Sequence, residues 1–194
     1  TIRRKISEEA YDFVHRCCGS YEVQKADAIY RFVQEGLRMG RAVMSHLTAP
    51  YMQTLYAIER NFTNESHFFI EILRFEELEN GTLFGRINPK SEVLPYLADH
   101  FADRFAGEQW VIADTVHRTV LLHKANYKTV YLSMDEVDMD ELALTYSEDE
   151  KQLQKLWKLF VDTIAIKERV NPKLQRQMLP LRFRKYMKEF SETE

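Results

Sequence analysis

The 194-residue chain is long enough to bury a real core in one or two domains. A net charge of −3 excludes a protein that binds polyanions over its whole surface, and no apolar run nears the roughly 18–20 residues of a membrane span. The only cysteines, Cys17 and Cys18, are adjacent, which leaves no disulfide, zinc or iron–sulfur framework and suits a reducing cytoplasm.

No basic–apolar–small leader opens the chain, and Thr at position 1 leaves room for residues trimmed ahead of it. Ser7 followed by Glu8 and Glu9 predicts an N-capped helix running to Gly19. Ala26, Ile29, Tyr30, Val33 and Leu37 predict one buried face of a second helix that stops near Gly36 or Gly40. Tyr51, Leu55, Ile58 and Phe62 repeat the period behind Thr48 as cap and Pro50 in the first turn. Residues 1–66 therefore form a helical unit.

The pattern then changes to two β-rich runs, Phe69–Phe75 and Thr82–Ile87, joined at Asn80-Gly81, a strong hairpin signal. Leu94, Leu97, Ala98, Phe101 and Phe105 mark an amphipathic helix. Three further strands follow in QWVIAD, RTVLLH and KTVYLS. The order β-β-α-β-β-β over residues 67–134 predicts a mostly antiparallel sheet with a helix across one face, and an α+β fold with helices at both ends. Residues 135–150 read as an acidic loop and residues 151–194 as C-terminal helices. The apolar stripe of the first of these is Leu153, Leu156, Trp157, Phe160 and Ile164. Pro172 opens a second, and Pro180 separates it from a third. Leu174, Met178, Phe183 and Tyr186 are expected to anchor this end.

The modest net charge conceals a split. Asp135–Glu150 holds eight acids and no base, whereas Lys167–Lys188 holds eight bases and one acid. A basic segment interleaved with aromatics points to a polyanionic partner; mutual neutralisation of the two segments is the alternative. Arg169, Lys173, Arg176, Arg182 and Lys185 are the expected positive surface.

No Walker loop, dinucleotide fingerprint, zincin or Gly-x-Ser-x-Gly motif occurs, and no metal site or cofactor is expected. Glu65 and His67 could form an acid–base pair or cap a helix end. His100 and Arg104 lie one turn apart at a helix rim, within reach of a phosphate or carboxylate. Arg74 and the Arg169–Asn171 helix junction complete the polar candidates, the junction serving as a phosphate site or as simple capping.

NESHFFIEILRFEELENGTLFGRINPKSEVLPYLADHFADRF and IAIKERVNPKLQRQMLPLRFRKYMKE together resemble domain-of-unknown-function family 4130 (DUF4130) over nearly the whole chain. The resemblance rests on Glu65, His67, Arg74 and Phe75, on Leu94, Pro95, His100, Phe101, Ala102, Arg104 and Phe105, and on Glu168, Arg169, Asn171–Gln175, Lys185 and Tyr186. The family's Met-Pro stands here as Met178-Leu179-Pro180, one residue longer, and members carry a further N-terminal stretch. The resemblance implies a bacterial DNA-metabolism protein, encoded beside a radical-SAM protein of the photoproduct-lyase type and in some chains joined to a uracil-DNA-glycosylase-like module. It implies no catalytic residue, and this chain has no three-cysteine cluster of its own.

Three readings follow. The first is a nucleic-acid-binding accessory that presents DNA to a radical-SAM partner, using Arg74, Arg104, Arg169, Lys173, Arg176, Arg182 and Lys185. The second is a metal-independent enzyme on nucleic acid with Glu65, His67 and His100 as acid–base candidates. The third is a protein–protein adaptor that binds no nucleic acid.

Overall fold

The computed structural model describes residues 1–136, 145–164, 166, 169, 171–187 and 190. Expectations for Asp138, Asp140, Glu141, Lys167, Glu168, Lys188 and Glu189 lie outside these residues. The fold is α+β, with helices at both ends and a five-stranded sheet between them. The chain divides into two compact units, Thr1–Glu71 with Pro89–Leu97, and Ile72–Asn88 with Ala98–Glu194.

The first unit is helical: α1 (Ile2–Lys5), α2 (Glu8–Gly19), α3 (Lys25–Met39) and most of α4 (Pro50–Ile72). Ser7 caps α2 by accepting the Ala10 N–H at 3.0 Å, which satisfies one of the orphan donors of the first turn. Phe13, Phe32, Val43, Met52, Leu55 and Ile58 form one apolar core. The face of α3 is rotated from the sequence expectation. Ala28, Phe32 and Gly36 are buried, whereas Tyr30 is 66% exposed and Leu37 49%. Gly36 explains the shift: a Cβ there would collide with the Ile6 side chain, so bare backbone is the packing surface. Hydrophobic periodicity does not register a glycine in that role.

The run Phe69–Ile72, expected as strand, continues α4. Leu55, Ile58, Phe62, Glu65, Ser66 and Phe69 are all buried and keep one helical phase. That continuous phase outweighs the β propensity of Phe and Ile.

The second unit is built on the sheet, in the order β1-β2-β3-β4-β5. The strands are β1 (Glu76–Glu77), β2 (Leu83–Ile87), β3 (Trp110–Asp114), β4 (Thr119–His123) and β5 (Val130–Ser133). β2 and β3 are parallel and the other pairs antiparallel. The parallel pair needs a crossover, which α5 (Leu94–Arg104) supplies between them. The hairpin turns at Asn80-Gly81: the Gly81 N–H bonds to Leu78 O at 2.8 Å, and Gly81 adopts φ 78°, which favours glycine.

Two sheet faces follow from the register. Gly85, Trp110 and Leu121 share one, where Trp110 and Phe75 pack edge-on against Phe101. Glu76, Phe84, Arg86, Val111, Ala113 and Val120 share the other. There Leu78 and Tyr146 join the apolar cluster. Beyond Tyr146 come α6 (Glu148–Ile164), α7 (Pro172–Met178) and a 3₁₀ turn over Leu181–Tyr186.

The expected burial of the C-terminal helices is corrected. Leu153, Leu156, Phe160 and Ile164 of α6 are each more than half exposed, and only Trp157 of that stripe is partly buried. Leu174 and Met178 are exposed too, and Phe183 is the buried anchor, with Tyr186 half-buried. Amphipathic spacing shows that a face can be covered, not that this chain covers it.

Candidate functional site

In the second unit a cavity of about 240 Å³ is lined by Arg74, Phe75, Glu76, Glu150, Leu153, Gln154, Trp157 and Tyr186. Its residues come from the segment after α4, from β1, from the first turns of α6 and from the 3₁₀ turn. The Arg74 guanidinium lies 3.8 Å from the centroid of the Trp157 ring. A planar cation over an indole is among the more favourable cation–π pairings. The Trp157 Nε1 is buried and has no hydrogen-bond partner among the described residues.

The carboxylates of this cavity are already engaged. Glu76 is buried, and Arg86 reaches it at 3.4 Å. The same guanidinium donates to Tyr146 Oη at 2.9 Å. Burial, a hydrogen bond to Glu76 and the charge of Glu76 push the Tyr146 phenol up to about 12. Glu150 accepts from the Gln154 amide at 2.7 Å and from the Glu77 N–H at 3.3 Å. Arg86 also sits 5.1 Å from the Tyr186 ring centroid. Tyr186 Oη is 3.0 Å from Thr115 Oγ1.

Tyr186 connects the cavity to the basic segment. Lys173, Arg176, Arg182 and Lys185 are exposed, as is Arg169. The stretch Asn171–Met187 contains no acid. Asn171 caps α7 by accepting the Leu174 N–H at 3.1 Å, and the Asn88 amide donates to Arg182 O at 2.9 Å. With buried Phe183, that bond ties the segment to the sheet. Two described acids of the earlier acidic segment have local partners: Asp135 pairs with Arg118 at 2.6 Å and Glu148 with Lys151 at 2.6 Å.

The candidates expected to act together fall in both units, Glu65 and His67 in the first and Arg74, His100 and Arg104 in the second. Glu65 is buried, and its carboxylate accepts the Lys90 N–H at 3.0 Å and the Ser91 N–H at 3.1 Å. It latches the loop ahead of α5. His67, two residues on, is exposed. His100 packs edge-on against Phe101, and its Nε2 is buried without a partner among the described residues. Arg104 is exposed.

Sequence reading passed over Glu76, Arg86, Trp157 and Tyr186 as cavity residues. It also passed over buried Asp114, which accepts from His117 Nδ1 at 2.7 Å and from the Val116 and His117 N–H groups. The alternation of β2 was the available signal for Arg86: one cation stands in a strand whose other side chains are apolar.

These features define a class, an α+β protein with a helical N-terminal unit and an aromatic, cation-bearing cleft next to a basic C-terminal segment. The model of the family described as domain of unknown function DUF4130 matches residues 23–189, and the chain belongs to that family. No curated protein and no solved structure matches the chain.

Proposed function

We propose that the protein is a cytoplasmic, nucleic-acid-binding accessory of bacterial DNA metabolism or repair that holds a DNA strand for a radical-SAM partner enzyme. The observation that carries the reading is the exposure of Lys173, Arg176, Arg182 and Lys185 on a helix and a 3₁₀ turn whose residues include no acid. Closely spaced cations on a fixed backbone suit phosphates, because each contact releases condensed counterions. Such contacts position a strand and read no sequence, which suits an accessory role. The partner and the DNA-metabolism role draw on the family resemblance. The test is binding of a labelled single-stranded oligonucleotide followed by fluorescence anisotropy at low salt. Saturable binding is expected, and its absence refutes the reading.

One observation favours a second reading, a protein–protein adaptor. Leu156, Leu159 and Phe160 of α6 are exposed at 60%, 63% and 51%, and clustered apolar exposure of this kind marks interaction surfaces. Capture of a protein partner by a chain that binds no DNA would favour it.

A further inference from the structure

We propose that the cleft formed by Arg74, Trp157 and Tyr186 receives one unstacked nucleobase of the bound DNA strand. This rests on the reading of the protein as DNA-binding and names the part of the ligand that the cleft takes. The Arg74–Trp157 stack, 3.8 Å from guanidinium carbon to ring centroid, is the kind of surface on which bases stack when they leave a helix. The cavity of about 240 Å³ lies within one unit and is open to such a ring. The Trp157 Nε1 is a buried donor with no partner among the described residues. That nitrogen has no accessible surface, so the ring of Trp157, not its N–H, is what the cleft offers to a base.

The charges select among occupants. With Glu76 held by Arg86, Arg74 and Glu150 offset one another, so the cleft gives a free phosphate no net attraction. A purely apolar ligand would strip water from Glu150 and Gln154 and return no hydrogen bonds. A base offers a stacking face together with donors and acceptors on its edge. Glu76 keeps its Arg86 partner, which leaves Arg74, Glu150 and Gln154 as the polar side chains lining the cleft. Tyr186 belongs to the cleft, directly follows Lys185 and lies four residues after Arg182, so the phosphate-binding residues and the base site share one chain segment.

The experiment uses the full chain and a short single-stranded oligonucleotide carrying 2-aminopurine at its centre. End-label anisotropy reports affinity, and a neutral collisional quencher reports exposure of the analogue. In the wild type, part of the 2-aminopurine emission is expected to become shielded on binding. Trp157→Ala is expected to lose the shielding and bind about 5- to 150-fold more weakly, from the usual contribution of one stacked base. The wild-type shielding needs no variant and stands as a test even if Trp157→Ala fails to fold. Salt-dependent binding with a fully exposed analogue overturns the base site and leaves the DNA-binding reading intact. No binding to the oligonucleotide at low salt overturns both.

Discussion

Glu65→Gln tests whether Glu65 is a latch or an acid–base group. The carboxylate accepts two backbone N–H groups, from Lys90 and Ser91, in a site where Glu65 is 4% exposed and Ser91 1%. Hydrogen bonds to a charged acceptor contribute about 1.5–3 kcal/mol each. Glutamine keeps one carbonyl oxygen and turns an NH₂ toward the other donor. One charged bond is lost and one becomes neutral, while burying a neutral amide costs less than burying a carboxylate. The net expectation is a loss of about 3 kcal/mol, from the same per-bond values. With a urea m-value of about 2 kcal/mol/M, the unfolding midpoint should fall by about 1.5 M at unchanged m. Equilibrium urea unfolding followed by circular dichroism measures it. A midpoint that stays in place would refute the latch, and that outcome is the one expected of a carboxylate held for catalysis.

Other expectations follow from burial. Cys17 is fully buried, and burial, followed by the charge of Glu59, pushes its thiol up to about 12. Neighbouring Cys18 is exposed, so alkylation of the native protein should label one thiol, and both after unfolding. Tyr96 and Tyr146 are raised from 10 to about 12, chiefly by burial. A raised phenol pKa gives stability that is complete below about pH 10 and lost as the pH climbs toward 12. Unfolding midpoints should therefore be insensitive to these groups at neutral pH and fall across that alkaline window, with late tyrosinate absorbance in the native state. Leu55→Ala removes a fully buried side chain from the helical core, with an expected cost of about 2–5 kcal/mol by the same urea assay.

The sheet was legible because alternation and turn chemistry agree. QWVIAD, RTVLLH and KTVYLS each became a strand, and Asn80-Gly81 became the turn expected of it. The α4 overrun into Phe69–Ile72 was misread because Phe and Ile suit a strand locally, while the helix phase set from Leu55 onward decides their fate. The α3 face was misread because Gly36 packs with no side chain at all. Of the site, the basic segment was legible as charges without nearby acids, and Arg74 only as one polar candidate, with Glu71, Glu76 and Glu77 close to it in sequence. The cleft was not, because Glu76, Trp157 and Tyr186 are more than 80 residues apart in sequence at the first step and meet only through tertiary packing. Glu65 and His67 looked like a pair at two-residue spacing, yet that spacing turns side chains to opposite sides of a helix, one buried and one exposed.

The central claim is that the segment around Arg176, Arg182 and Lys185 holds DNA through its phosphates. The most direct measurement is the salt dependence of single-stranded DNA affinity for the wild type and for the triple variant Arg176→Ala, Arg182→Ala, Lys185→Ala. Each phosphate contact contributes about 0.7 to the slope of log affinity against log salt on a single strand. Three to five contacts should therefore lower wild-type affinity by about 20- to 130-fold over a fourfold rise in salt. The variant should bind more weakly, with a slope shallower by about 2, and unfold at the wild-type urea midpoint, because all three side chains lie on the surface. A folded variant with wild-type affinity and an unchanged slope would contradict the account.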